Sequence, residues 1–322
     1  MRRYHQAAAF AAALTILPVA EAGAHGFAGD RFFPATIQTD DPFVADEMSL
    51  PTITRVPPNV MGDQEVDFEF DIAKRITPDI GIVFSDQWIY SQPKGGPAVT
   101  GMGTFKTDLQ YQLFINEPHE FMGMLGLATT WGHTGRVQAL GQDDHVTLSP
   151  EFKWGKGMGD LPDSLKWLKP FAVTGNFSVD FPTRVNSNGS ANQNMFNAGV
   201  AIEYSLEYLQ HHVKDVGLSG PLGRLIPLVE ITSSTALNRG LNGDGSTAGN
   251  GIGMGTFGVI APGIIWAGNY YQVAAEALIP YGEQQGHGVG WMVQAHFFLD
   301  DLFPDSFGQP IFGHTAPRAA RE

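Results

Sequence analysis

Acidic residues recur at one phase of alternating apolar segments. In 66–72, Asp67, Glu69 and Asp71 interleave with Val66, Phe68, Phe70 and Ile72; later segments place Lys106 and Asp108, Glu151 and Lys153, Asp180, Glu203, Glu230 and Glu276 in the same way. Alternation is the side-chain period of a β-strand, so each set falls on one face. Nine carboxylates against two lysines, facing a confined interior, would concentrate cations and repel anions. These eleven residues are the candidate pore lining, with a preference for cations or neutral solutes. The competing arrangement pairs the acids with lysines and with loop arginines such as Arg184 and Arg239, inside a barrel narrow enough for side chains to fill.

Other chemistry is sparse. The chain has ten histidines and no cysteine, which excludes disulfides, thiolate nucleophiles and cysteine zinc sites. Cleavage after Ala24 would put His25 at the amino terminus, where amine and imidazole could chelate copper, but no His-x-His supplies a second ligand. His211 and His212 share a predicted turn, and His133, His145 and His287 lie in or beside long loops; no metal site and no cofactor is assigned. The run Asn242, Gly243, Asp244, Gly245, Ser246 has oxygens at alternate positions, as calcium loops do, without their terminal bidentate Glu. It reads as an external loop. Ser187, Asn188 and Gly189 resemble the Ser-Asn-Gly of outer-membrane phospholipases, where a His lies two residues before the Ser; here that residue is Val185. The base is missing, so no catalytic residue is assigned and a lipase-type enzyme is a lesser alternative.

The elements that must position these groups are legible along the whole chain of 322 residues. Only 16% are charged, against about 25% in soluble domains, and the formal charge is −14. Clustered cations for a nucleic-acid partner are absent. Residues 1–24 read as a secretory signal, with Arg2 and Arg3, an apolar run over 7–20 and small residues at the cleavage sites. That run is too short for a spanning helix. Eleven alternating segments follow, several of them long enough to cross a bilayer at a tilt, and 46–56 supplies a twelfth. In 171–181 the apolar face is Phe171, Val173, Gly175, Phe177, Val179 and Phe181; in the segment near 260 it is read as Val259, Ala261 and Gly263. Short turns near 75–78, 116–120 and 268–269 alternate with long loops at 91–102, 132–144, 182–195, 238–255 and 281–289, as periplasmic turns alternate with external loops.

The expectation is therefore an all-β chain. It comprises a signal peptide (1–24), a periplasmic lead-in (25–45), a transmembrane antiparallel up-and-down β-barrel of about twelve strands (46–300) and a C-terminal tail (301–322). Residues 309–322 of the tail should be dispensable for assembly. Arginine should be costly at Val173 or Phe177 on the lipid face, and milder at Thr174 or Asn176. A secreted β-sandwich is the rival fold, but Trp88, Tyr90, Trp131, Trp154, Trp167, Tyr270, Tyr271 and Trp291 sit at or near strand ends, where a membrane barrel carries its aromatic girdles.

The stretches GMGTFKTDLQYQLF (101–114), MGMLGLATTWGHTG (122–135), LKPFAVTGNFSVDFP (168–182), RLIPLVEIT (224–232), APGIIWAGNYYQVAAEALIP (261–280) and FFLDDLFPDSFG (297–308) resemble a proteobacterial outer-membrane family grouped with a phenol meta-pathway protein of the MetA type. Over roughly 60–308 the resemblance implies a barrel in the outer membrane of a Gram-negative bacterium, in contact with lipid, that passes a small solute. It carries over no catalytic site. A non-conducting structural barrel remains the alternative within the same fold.

Overall fold

The computed structural model describes residues 26–59, 61–140, 144–184, 186–187, 190–218, 220–238, 255–282, 286 and 288–313. The signal segment, His25, Arg239, His287, the 242–246 run and Val185, Asn188 and Gly189 lie outside the described residues.

Twelve antiparallel strands span the molecule. They are β1 Glu47–Val56, β2 Gln64–Thr77, β3 Ile80–Gln92, β4 Lys106–Asn116, β5 Phe121–Thr130, β6 Thr147–Gly157, β7 Phe171–Pro182, β8 Met195–Tyr204, β9 Leu225–Ala236, β10 Thr256–Ala267, β11 Tyr271–Tyr281 and β12 Gly290–Phe298. A thirteenth piece of the sheet, Val99–Met102, extends β3 at its long-loop end. Each strand pairs with its sequence neighbour, and β12 pairs back onto β1, from Trp291 opposite Arg55 to Phe298 opposite Glu47. The ring is closed. The segment at 46–56 is the strand that makes the count even and leaves no edge unpaired.

Alternation fixes which face is outside. Phe68, Phe70, Ile72, Leu109, Leu125, Leu127, Phe177, Ile202, Val229, Ile231, Ile264, Val273 and Val293 are all exposed, although they are among the most apolar residues of the chain. A soluble sandwich would bury them; a barrel in lipid presents them to hydrocarbon. Trp88, Tyr90, Trp131 and Trp291 at one end, and Trp167, Tyr270 and Tyr271 at the other, are likewise exposed and bracket this band. Among the described residues, no helix is long and apolar enough to cross a membrane.

On β10 the expected face is reversed. Ala261 is fully buried, whereas Ile260 and Ile264 are exposed and Pro262 shares their face. Both faces of this strand are apolar, so alternation alone left its phase open. The inner face is apolar because Ile265 and Ala267 pack on Phe32 inside the barrel. The two long connections at the short-turn end contain short helical turns, Asp163–Leu168, Leu206–Tyr208, Leu209–Val213 and Gly220–Arg224. After β12 the chain makes one helical turn, Leu299–Leu302, and then lies along the end of β2. There Ile311 and Phe312 donate backbone N–H groups to the carbonyls of Arg75 and Ile76. Ile311 and Phe312 of the C-terminal tail are thus docked on the end of β2.

Phe177 is exposed near the middle of β7, and Ser178 beside it points inward. Phe177→Arg should cost about 2–4 kcal/mol in lipid, as arginine does near a bilayer midplane. Ser178→Arg, placed near Asp180, should shift the urea midpoint of vesicle-inserted protein far less. Thr174, expected from the sequence to tolerate arginine, is fully buried inside and should not.

Candidate functional site: a carboxylate-lined lumen holding its own chain

Residues 26–46 do not hang below the barrel as a lead-in. They enter the lumen from the short-turn end, climb to mid-height and return to β1. A two-residue hairpin, Phe27–Ala28 with Arg31–Phe32, forms its base. Phe32 packs edge-on to Phe298 and joins Ile226, Leu228, Ile265, Ala267 and Ala274; Ala28, Phe33, Phe43 and Ala45 pack with Met122 and Ala172. Thr36 bonds the carbonyl of Thr39 to make the apex. The wall makes room with glycine. A Cβ on Gly155 would stand 2.9 Å from Pro42 Cγ, and one on Gly199 would stand 2.5 Å from Thr39 Cγ2.

Several buried charges in this half have a partner from the segment or a turn. The Arg31 guanidinium, stacked 3.8 Å over the Tyr208 ring, donates to Glu120 Oε2 at 3.2 Å and to the carbonyls of Pro170 and Lys169. Glu120 also accepts from the Tyr208 hydroxyl at 2.8 Å. Asp46 receives Lys74 Nζ at 2.6 Å and Arg75 Nε at 2.7 Å, and these two cations also hold the carbonyls of Phe307, Gly308 and Gln309. Lys153, almost wholly buried, lies 3.0 Å from Asp40, 3.0 Å from Asp108 and 2.8 Å from Glu151. Gln112 accepts the N–H of Val44 and donates to the carbonyl of Pro42. Glu230 accepts three consecutive backbone N–H groups, from Ile37 at 3.0 Å, Gln38 at 2.6 Å and Thr39 at 2.8 Å.

A further cluster joins the segment to the β12–β1 seam. His296 Nδ1 lies 3.0 Å from Ser49 Oγ and its Nε2 3.3 Å from Glu47 Oε2. Asp71 accepts from the Ser49 N–H at 3.2 Å. Asp41, on the segment, faces this group; burial first, and then the charge of Glu47, push its carboxyl well above the ordinary range, while His296 draws it back. Serine, imidazole and carboxylate here stand in the contact order of a hydrolytic triad, but Ser49 and His296 are both buried within the wall-to-segment contact. The geometry fits a latch.

The half of the lumen above the apex is open to solvent at Asp40. The Asp40 carboxylate is 64% exposed although its oxygen contacts Lys153, so water reaches it from the long-loop side. Asp67 and Glu69 line this half, with Lys106 in electrostatic reach of Asp67. On the opposite wall Asp180 accepts from Ser149 at 2.6 Å and Asn197 at 2.8 Å, and Asn197 accepts from Ser234 at 2.7 Å.

All eleven sequence-predicted lining residues thus lie on the inward face, but they divide. Asp67, Glu69, Asp180 and Lys106 face the open half. Asp108, Glu151 and Lys153 form one ion cluster, Asp71 joins the seam, Glu230 holds the segment, and Glu203 and Glu276 are buried beside it. Among the described residues the neutralising cations are Lys153, Arg31, Lys74 and Arg75. Sequence reading missed Arg31, Asp40, Asp41, Asp46, Glu120 and His296. Gln294 and His296, polar residues in the inward phase of β12, were the available signal for the last; the others belong to stretches without alternation.

No family model and no curated protein sequence matches the chain. Among solved structures, it is similar to an outer membrane channel from Pseudomonas putida F1, with a TM-score of 0.56, 9% identity, and coverage of 82% of this chain and 99% of that one. NanC porin matches at a TM-score of 0.46 and 7% identity, over 78% and 98% of the two chains, and KdgM porin at 0.42 and 8%, over the same shares. The Pseudomonas channel establishes the fold as that of outer-membrane barrels. The two porin matches lie too low to add to it.

Replacing Lys153 by Met would strand Asp40, Asp108 and Glu151 around an apolar side chain. Breaking a buried ion cluster this way costs about 3–5 kcal/mol. Lys153→Met should therefore lower the unfolding midpoint of vesicle-inserted protein strongly, whereas Lys106→Met, in the open half, should leave it nearly unchanged.

Proposed function

We propose that the protein is an outer-membrane channel for small cationic or neutral solutes, closed from the short-turn end by its own residues 26–46. The observation that carries this reading is the division of the lumen: a carboxylate-lined half, solvent-exposed at Asp40, meets a separate piece of chain whose apex is held through polar contacts. Barrels of about eight strands fill with wall side chains, and twelve strands enclose a wider interior. Here the filling is a separate loop, and its apex is bonded mainly through backbone N–H groups and ion pairs that water or a solute could replace.

Short turns are periplasmic and long loops external in bacterial barrels, so the segment closes the periplasmic side and Asp67, Glu69 and Asp180 face incoming solutes. The carboxylates favour cations because charge acts strongly in a confined, poorly screened space. The likeness to the Pseudomonas channel supports the location and the channel class. The phenol-pathway resemblance of the sequence is compatible with both.

The cysteine-free chain allows a direct test. With Thr39→Cys and Gly199→Cys, the segment can be locked to β8. Planar-bilayer current through the oxidised double variant should be abolished and should reappear on reduction, beyond the level of unmodified protein treated alike. Equal current in both redox states would remove the segment as the gate. In the reduced channel, Asp67→Asn with Glu69→Gln should lower the cation preference; unchanged selectivity would place the filter elsewhere.

A further inference from the structure

Three glutamates stand together where the segment reaches mid-barrel. The strand register sets Glu203 opposite Leu228 and Leu228 opposite Gly263, with Gly263 opposite Glu276, so Glu203 and Glu276 share one row across four strands. Glu230 is one inward position further along β9, opposite Ala201 and Ala261. It is therefore the diagonal neighbour of Glu203, at the spacing where long side chains still meet. The Glu276 side chain folds across Gly263, where a Cβ would lie 2.5 Å from its Cγ, and so points toward β9. Both Glu203 and Glu276 are in electrostatic reach of Glu230.

The three are 97%, 100% and 96% buried in chain order, yet only Glu230 is satisfied. Among the described residues, both carboxylate oxygens of Glu203 and both of Glu276 are buried with no hydrogen-bond partner. Leaving four such acceptors unpaired is costly, and native structures retain such groups where something else is to fill them. Arg31 lies in electrostatic reach of Glu203, but three of its five N–H donors go to Glu120 and to two carbonyls, and none is bonded to Glu203. Among the described residues, no three acidic or imidazole groups converge closely enough to hold a metal ion. Ala172, Ala201, Ala261 and Gly263 are small neighbours of the glutamates, and Leu228 lies in the row between Glu203 and Gly263.

We propose that Glu203, Glu230 and Glu276 form a recognition site for an extended organic cation with several N–H donors, such as a diamine, and that the Ile37, Gln38 and Thr39 N–H groups occupy its central carboxylate in the closed barrel. The segment is then an internal competitor. A solute that supplies N–H donors and positive charge to all three glutamates replaces the segment's three bonds at Glu230 and also satisfies the four unpaired oxygens. This deepens the channel reading and rests on the lumen being the solute's path.

Putrescine is the probe. Calorimetry of full-length protein in detergent should show saturable putrescine binding, at least ten-fold weaker in Glu203→Gln/Glu276→Gln and little altered in Asp163→Asn, which changes an exposed turn carboxylate. Glutarate, a dianion of similar length, should not bind. Each variant is first checked for the heat-modifiable gel migration of a folded barrel. In Thr39→Cys/Gly199→Cys, putrescine should slow disulfide formation several-fold, since it displaces the apex. Absence of binding, or binding weakened equally in Asp163→Asn, overturns the site. Because calorimetry needs no current, a barrel that binds putrescine without conducting would retain this inference while losing the channel reading.

Discussion

A strand that crosses hydrocarbon has no water to satisfy its backbone, so every N–H and carbonyl must find a partner within the sheet. That constraint requires the pairing of β12 with β1, and the remaining architecture follows from the ring it closes. Closure orients all twelve strands alike, sends one alternating face to lipid and gathers the other around an interior that must be filled or wetted. The polar residues of the inner face are tolerable only because they do not see lipid.

The interior resolves this in two ways. At the short-turn end, the chain's own residues 26–46 fill the lumen, and the buried charges are neutralised almost one by one: Arg31 by Glu120, Arg75 and Lys74 by Asp46, Lys153 by three carboxylates. Desolvating such groups costs several kcal/mol each unless hydrogen bonds replace the lost water. The wall meets that requirement locally, with Tyr208, backbone carbonyls and the docked C-terminal stretch. Toward the long-loop end, the Asp40 carboxylate is largely exposed and solvent takes the same role.

Two kinds of contact therefore hold the segment, and they differ in how readily they exchange. Its base is packed apolar surface around Phe32, Phe33 and Phe43, which a dissolved solute does not replace. Its apex is held by Glu230, Lys153 and the Asp41–His296 neighbourhood, where a polar solute offers equivalent bonds. The physical distinction places any opening motion at residues 36–41, with the base as an anchor that keeps the loop near its site.

How much of this the sequence determined follows from what is periodic. Strands such as Phe171–Pro182, with apolar and polar residues in strict alternation, announce both their conformation and their two faces. Glu47–Val56 could be placed by parity, because an even count was needed. The same alternation put Asp67, Glu230 and their fellows on the inner face. It failed at Thr256–Ala267, where both faces are apolar, since the inner one packs on the segment rather than on water. The segment itself, with Arg31, Asp40 and Asp41, has no period, and nothing local distinguishes a periplasmic lead-in from a loop inside a barrel. Its position depends on contacts between residues as far apart as Thr39 and Glu230, which only chain closure brings together. Sequence thus determined the wall and its polarity through short-range periodicity, while tertiary structure alone decided what occupies the lumen and which of its carboxylates are left without a partner.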